Sequence, residues 1–487
     1  MNKSFKHLPY DKRKKILLIC DDIRVHSGVA TIAKEIVTHT SHHFNWVQIA
    51  GAMKHPESGK QLDLSEAINN EANIKDSYVK LYPTDGYGNS TLLRNIIKIE
   101  KPDALFLITD PRYFTWVFNM ENEIRKQIPI TYLNIWDNYP APLFNKPYYE
   151  ACDLLMGISK QTVNINKLVL KGSEKNRIFR YIPHGKDPNV YCPIDKNNID
   201  FIAFKKSLLG NQDPKFILFF NSRNIRRKQI PDTLLAFRYF LDTLPEKEAK
   251  ECLLLLKTES TSDAGTNLKA NIELFFGEKY ANNVKIIEKI LSVEQLNWLY
   301  NLADAQILLT SNEGWGLTLT EAMLTGTPII ANVTGGMQDQ MRFKYDFDEG
   351  PGVKEGEWID FDEDFPSNHR GTYKQHGKWA FPVYPSNISI QGSPPTPYIF
   401  DDRCSYEDAA KIIKKVYNLS NNERIECGLE GRKWAMGDEA GFTSKHQANR
   451  VIDALNTLFD VWKPKEKYEI VNATEYKGKF LNHQLNY

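Results

Sequence analysis

The sequence predicts an α/β chain of two doubly wound, Rossmann-like domains, on three observations. Short apolar runs alternate with amphipathic stretches along most of the chain, the pattern of parallel strands joined by right-handed crossover helices. That pattern stops at the polar, proline-marked segment Tyr191–Asn198 and then starts again. The chain's 487 residues exceed the roughly 250–300 at which one hydrophobic core stops growing.

In the first half, Ile16–Cys20 is a continuous apolar run, as suits a parallel strand covered on both faces. It leads through Ser27-Gly28-Val29-Ala30 into a helix over Thr31–Val37. Further strands are read at Trp46–Ala50, Tyr78–Tyr82, Ala104–Ile108, Ile130–Ile135 and Leu154–Ile158. The second half opens on a strand at Lys215–Phe220 and a helix over Asp232–Leu241, and continues with strands at Leu253–Leu256, Val284–Ile287, Ile307–Leu309 and Pro328–Ala331. Residues 1–192 and 210–440 form the two expected domains. A stretch at about 338–402, rich in Gly, Pro, Asp and aromatic residues, reads as a long irregular insert in the second. Helical patterns return over Tyr406–Tyr417, Asn421–Ala435 and Ser444–Trp462. No tandem repeat of 20–50 residues is present.

Composition narrows the function classes. Hydrophobic residues make up 41% and charged residues 25%, which excludes a fibrous or mainly disordered chain. Lys plus Arg is 62 against 61 Asp plus Glu, a net charge of +1, so a dedicated nucleic-acid or membrane coat is not expected, although a local patch is. The six cysteines are scattered without a C-x-x-C pair, as for reduced, buried thiols. Residues 1–7 contain no signal-peptide core, and nowhere do 18 apolar residues run together, so a cytoplasmic protein without an integral membrane segment is expected.

The most informative stretch is Ser311-Asn312-Glu313-Gly314-Trp315-Gly316-Leu317-Thr318-Leu319-Thr320-Glu321-Ala322-Met323. It follows an apolar strand and opens a helix, and open α/β sheets bind ligands at the carboxyl ends of their strands. The glycines let backbone approach a ligand, and the free N–H groups of the first helical turn favour an anion. With the helix starting near Leu317, Glu321 lies one turn in, roughly 6 Å along the axis. One loop thus presents a carboxylate, a row of amides and a second carboxylate, which suits a sugar, a phosphate and a ribose in sequence.

Glu313 and Glu321 form an E-x7-E pattern that resembles retaining glycosyltransferases of the GT-B fold, in which two Rossmann-like domains face each other across a cleft; family 4 is the most similar. Ile182-Pro183-His184-Gly185-Lys186-Asp187 is similar to that family's interdomain I-P-N-G-x-D turn, with His184 replacing Asn. Asn221–Lys228 resembles its G-R-x4-K segment, Glu321–Pro328 with Thr334-Gly335-Gly336 its EA-x3-G-x-P…GG run, and Ala151–Lys160 its A-D-x-(apolar)-S strand. The similarity spans about residues 14–340 and resumes near 400.

The resemblance implies transfer of a glycosyl group from a nucleotide sugar with retained configuration, without a metal ion or other cofactor. It implies that Glu313 binds donor-sugar hydroxyls and Glu321 the ribose, because carboxylates accept from paired O–H donors. Amides near Gly314, Trp315, Gly316 and Leu317 would line sugar and phosphate, Arg223 and Lys228 would neutralise the departing diphosphate, and Gly28 would bring a helix N-terminus to it. It also implies that the C-terminal helix, with the tail to 487, packs back on the first domain.

One departure stands out: Asn134-Ile135-Trp136-Asp137-Asn138-Tyr139-Pro140 has Trp136 where family members often carry a histidine. Asp137 becomes the acceptor-side candidate, catalytic or positional, and Asp110 the second, with turn formation before Pro111 the favoured reading of Asp110. His184 reads as a turn residue rather than a proton carrier.

Two other matches are set aside. Asp362-Glu363-Asp364 has the D-x-D form of a metal motif but lies in the acidic insert, and Gly314-Trp315-Gly316 lacks the third glycine of a dinucleotide fingerprint. A sugar-nucleotide-binding protein without turnover, and an epimerase on the same fold, stay open as alternatives. The acceptor is left open among a glycan, a lipid head group, a small molecule and modified nucleic acid. The basic run Lys12–Lys15 and the aromatics around Tyr113, Trp116, Trp136 and Tyr148 keep a DNA-modifying enzyme among the options.

Overall fold

The computed structural model describes residues 5–348 and 352–466, so the leader 1–4, residues 349–351 and the tail from 467 lie outside the described residues. The first sheet contains β1 (Lys14–Asp21), β2 (Phe44–Ala52), β3 (Leu62–Asp63), β4 (Val79–Asp85), β5 (Ala104–Ile108), β6 (Ile130–Asn134), β7 (Leu154–Gly157) and β8 (Ile178–Tyr181). Their order is β3-β4-β2-β1-β5-β6-β7-β8, and only the β3 pairing is antiparallel. The apolar run Ile16–Cys20 is wholly buried, as its lack of alternation requires.

The second sheet contains β9 (Phe216–Asn221), β10 (Cys252–Lys257), β11 (Val284–Ile287), β12 (Ala305–Leu308), β13 (Ile329–Asn332) and β14 (Ala380–Val383), all parallel, in the order β11-β10-β9-β12-β13-β14. This is the expected pair of doubly wound domains. The boundary shifts slightly: helix Ile199–Leu209 packs on helix Val293–Leu302, so the second domain begins nearer 199 than 210.

The stretch read as irregular holds regular structure. It supplies β14 and a hairpin of β15 (Asn387–Ser393) and β16 (Thr396–Arg403), with Ile390 opposite Phe400. β14 carries Pro382, which a strand tolerates at the sheet edge it occupies. β15 and β16 are mostly exposed or half-buried, so neither presents an apolar run. β3 and β8 went unread because two and four part-exposed residues carry little pattern.

The chain leaves the first domain after β8 and returns before helix Ser444–Val461. The two crossings touch: Lys186 N–H donates to Phe442 O (3.2 Å), and Ser444 N–H donates to Lys186 O (3.0 Å). Gly185 has no room for a side chain there, since a Cβ would stand 2.2 Å from Thr443 O. Helix Ser444–Val461 docks on the first domain along helix Gly28–Thr40, with the Ser444 hydroxyl donating to Glu35 at 2.7 Å. The six cysteines are free thiols. No helix among the described residues is long and apolar enough to cross a membrane.

Candidate active site

Residues Leu309–Gly316 form the loop between β12 and helix Leu317–Thr325. Gly316 caps that helix with φ of 88°, a left-handed value that favours glycine. Gly314 faces the first domain, where a Cβ would stand 2.8 Å from Ile158 and 3.0 Å from Ile135 O. Behind the loop, Gly336 N–H donates to Glu313 O at 3.1 Å, and a Cβ on Gly335 would stand 1.9 Å from that oxygen. The run Thr334-Gly335-Gly336 therefore holds the Glu313 backbone in place.

A cavity of about 750 Å³ opens beside this loop, lined by Glu313, Gly316, Leu317, Glu321, Arg223, Arg227, Lys228 and Lys186, and from the first domain by Gly28 and Thr31. The N-terminus of helix Gly28–Thr40 is capped by Ser27, whose hydroxyl accepts from Ala30 N–H (3.0 Å) and donates to Asp21 (2.5 Å).

Glu313 is gripped by two cations, with Lys228 Nζ on its Oε2 and Arg227 Nη1 3.1 Å from the same atom. Burial alone would push the Glu313 carboxyl up, but Lys228 and Arg227 outweigh it and hold the group at about 2. Burial lowers Lys228 despite its partner, whereas Glu313 and Asp137 raise Arg227 against its burial. Glu321 sits deeper, with Oε1 3.1 Å from Lys186 Nζ and Oε2 accepting from the Tyr300 hydroxyl at 2.7 Å. Two acids and three cations thus converge on one cleft.

Arg223 lines the same cavity from its exposed edge, while Arg227 is the second cation on Glu313. Arg227, Lys186 and Tyr300 were not singled out from the sequence. The first two lie inside segments whose motif resemblance is quoted above, but only the fold shows which side chain turns inward. The Trp315 indole serves packing: it is buried edge-on against Phe442 (4.9 Å), and its Nε1–H donates to Thr320 at 2.9 Å.

On the first-domain side, Asp137 reaches the same loop, its Cβ 4.0 Å from where a Gly314 Cβ would stand. Its backbone carbonyl accepts from Gln161 Nε2 at 2.8 Å. Asp137 is half-buried, and burial pushes its carboxyl up to about 6; Arg227 lowers it and Glu313 raises it further. Trp136 is structural, its Nε1–H donating to Asn138 O at 2.9 Å. Asp110 caps a turn, accepting from Arg112 N–H at 3.0 Å and pairing with the Arg112 guanidinium at 2.5 Å. His184 is buried and lowered to about 3 by that burial and by Lys186, so it is neutral at physiological pH.

Elsewhere the domains meet at Asp339, whose Oδ2 accepts from Lys160 N–H and the Tyr181 hydroxyl, both at 2.9 Å. Burial pushes Asp339 up to about 7. Glu363 of the acidic insert pairs with Lys171 (2.7 Å), so it too serves the domain contact. The basic leader is neutralised: Arg13 pairs with Asp76 (2.7 Å), Lys14 with Asp103 (2.9 Å) and Lys15 with Glu100 (2.9 Å).

Residues 200–358 match the sequence model of a family described as Glycosyl transferases group 1. The matched region contains Glu313, Glu321, Arg223, Arg227 and Lys228, and ends before β14 and the hairpin. Among solved structures, the chain is similar to sucrose-phosphate synthase from Thermosynechococcus elongatus, at TM-score 0.62 and 15% identity over 92% of this chain and 100% of that one. Anabaena HepE in complex with UDP and glucose aligns at TM-score 0.61 and 13% identity, over 92% and 100% of the two chains. An E. coli structure described as trehalose-6-phosphate bound with UDP-2-fluoro glucose aligns at TM-score 0.62 and 12% identity, over 93% and 100%. The fold is therefore that of the GT-B glycosyltransferases. No curated protein sequence matches the chain.

Proposed function

We propose that this protein is a retaining glycosyltransferase that moves a sugar from a nucleotide-sugar donor to an acceptor hydroxyl without a metal ion. The observation that carries this reading is the Glu313 corner: an ionised carboxylate held by Lys228 and Arg227, in one cavity with Glu321 and the N-terminus of helix Gly28–Thr40. The arrangement meets each part of a nucleotide sugar with complementary chemistry. Glu321, already accepting from a hydroxyl and an ammonium, suits ribose hydroxyls. Arg227, Lys228 and Arg223 with the helix N-terminus suit the diphosphate, and Glu313 suits the sugar hydroxyls.

In the reaction the bond from the anomeric carbon to the diphosphate oxygen breaks through an oxocarbenium-like state. The acceptor oxygen bonds to the same face, and its proton passes to the departing phosphate. The cations stabilise charge that grows on the diphosphate, which is where preorganised electrostatics lower a barrier most. Similar solved structures described as complexes with UDP and glucose, with UDP-glucose and with UDP-2-fluoro glucose favour a UDP-hexose donor. Of the two features behind a nucleic-acid acceptor, the basic leader is paired with carboxylates at Arg13, Lys14 and Lys15, which counts against that acceptor.

The test is a panel of nucleotide sugars with sugar, sugar-phosphate, lipid and DNA acceptors, read as nucleotide release and as the anomeric configuration of the product. Release that depends on an acceptor, with retained configuration, supports the reading. Inverted configuration, or sugar epimerisation without an acceptor, overturns it. The Trp136 exchange favours one second reading, a sugar-nucleotide-binding protein without turnover. Tight donor binding with no acceptor-dependent release across the panel would establish that instead.

A further inference from the structure

The hairpin lies outside the region matched by the family and touches both lips of the cleft. The carbonyl oxygen of Phe400, in β16, accepts two side-chain amides at once, Asn138 Nδ2 at 2.9 Å and Asn312 Nδ2 at 3.0 Å. Asn138 belongs to the first domain and follows Asp137; Asn312 belongs to the second and precedes Glu313. Both asparagines are buried. The second amide hydrogen of Asn312 is taken by Asp401 Oδ1 at 2.8 Å. Backbone bonds reinforce each side: Phe400 N–H donates to Tyr139 O at 2.6 Å, and Asp402 N–H donates to Ser311 O at 3.0 Å. Tyr398 extends the first-domain anchor, its ring edge-on to Phe144 (5.1 Å), which is edge-on to Trp136 (5.6 Å).

We infer that Asn138 and Asn312 are positioning residues, and that the Phe400 carbonyl they share sets the spacing of Asp137 and Glu313 across the cleft. Each asparagine is one peptide unit from the carboxylate it registers, so a shift of the strap moves both acids. A carbonyl has two lone pairs, and a buried amide donor left without an acceptor is costly, so both bonds are favoured together. The strap bridges the two loops that carry the acids, so loosening it would admit water that takes the sugar in place of the acceptor. The same exchange explains Trp136: an indole that packs on Phe144 under Tyr398 supports the strap, which an imidazole facing the donor would not. This inference rests on the glycosyltransferase reading for its activity readouts and stands apart from it for its structural one.

The test uses the full chain with the near-isosteric variants Asn138→Leu and Asn312→Leu, singly and together. Each single variant should lower kcat between about ten- and a hundred-fold, the scale of a small misplacement, with donor KM changed less than about threefold. The ratio of donor hydrolysis to transfer should rise, and the double variant should be no slower than the slower single, because either loss breaks the link that runs from one asparagine to the other through the shared carbonyl. Hydrogen exchange at the Phe400 amide should be slow in the wild-type chain and faster in each variant. Tyr398→Phe, which removes a hydroxyl that accepts from Leu143 N–H (3.2 Å) and donates to Ala141 O (3.4 Å), should show the same trend more weakly and serves if a leucine variant does not fold. Single variants with kcat within twofold of wild type, or effects that multiply in the double, would overturn the inference. So would a wild-type Phe400 amide that exchanges as fast as those of the hairpin tip. A wild-type chain inert toward every nucleotide sugar would remove the proposed function, and the Phe400 exchange would still decide whether the carbonyl joins the domains.

Discussion

Glu313 and Asp137 share one cleft and are driven in opposite directions, which separates their expected phenotypes. Glu313→Gln leaves Lys228 a buried cation without its carboxylate, while the half-exposed Arg227 keeps Asn312 O, a loss of about 3 kcal/mol in denaturant titration once Arg227 is discounted for solvent screening. Sugar turnover should fall at least about a hundredfold, while affinity for a bare nucleoside diphosphate holds or rises, since the freed cations face another anion. Because Glu313 is depressed from its ordinary 4.5 to about 2, its stabilisation is complete above pH 4.5 and is lost as pH falls toward 2. Acid titration of the wild type should show this transition, and Glu313→Gln should lack it. Asp137 is raised from 3.8 to about 6, so its ionisation costs stability as pH rises through that window. Asp137→Asn should therefore be more stable at neutral pH, by about 1 kcal/mol after solvent screening, and should lose the inflection near 6 in the pH profile of kcat/KM, which reports the ligand-free protein.

At the level of elements, the glycine turn behind the loop is the most sensitive support. Gly335 has φ of 51°, and a Cβ there would stand 1.9 Å from Glu313 O, so Gly335→Ala must displace the loop. Donor-induced stabilisation in a thermal-shift assay should disappear in that variant while the fold survives. The buried parallel strands were legible because each is an uninterrupted apolar run between helical patterns, as in Ile16–Cys20 and Leu253–Leu256. β14 and the hairpin were not, because Pro382, Gly392 and the exposed alternation of Asn387–Ser393 read as loop. Among site residues, the paired glutamates were legible from their place on the loop between strand and helix, and Lys228 only through the family resemblance of its segment. Arg227 and Lys186 were not, since spacing says which residues share a segment and only packing says which of them turns inward.

At the scale of the whole molecule, the last helix belongs to the domain that begins the chain. Leu455 and Leu458 of helix Ser444–Val461 are buried, and that helix covers helix Gly28–Thr40, whose Ile32 and Ile36 are also buried. A chain ending at 440 should expose this apolar face, bind a hydrophobic dye and lose cooperative unfolding of its first domain. The two crossings between the domains lie side by side, joined through Lys186 and the stretch Phe442–Ser444. They form one axle between halves that the Asp339 contacts and the hairpin also tie together. Lys186 belongs to that axle by its backbone and to the cavity by its ammonium on Glu321. On the proposed reading, a donor ribose that takes Glu321 from Lys186 acts directly on the place where the two crossings meet.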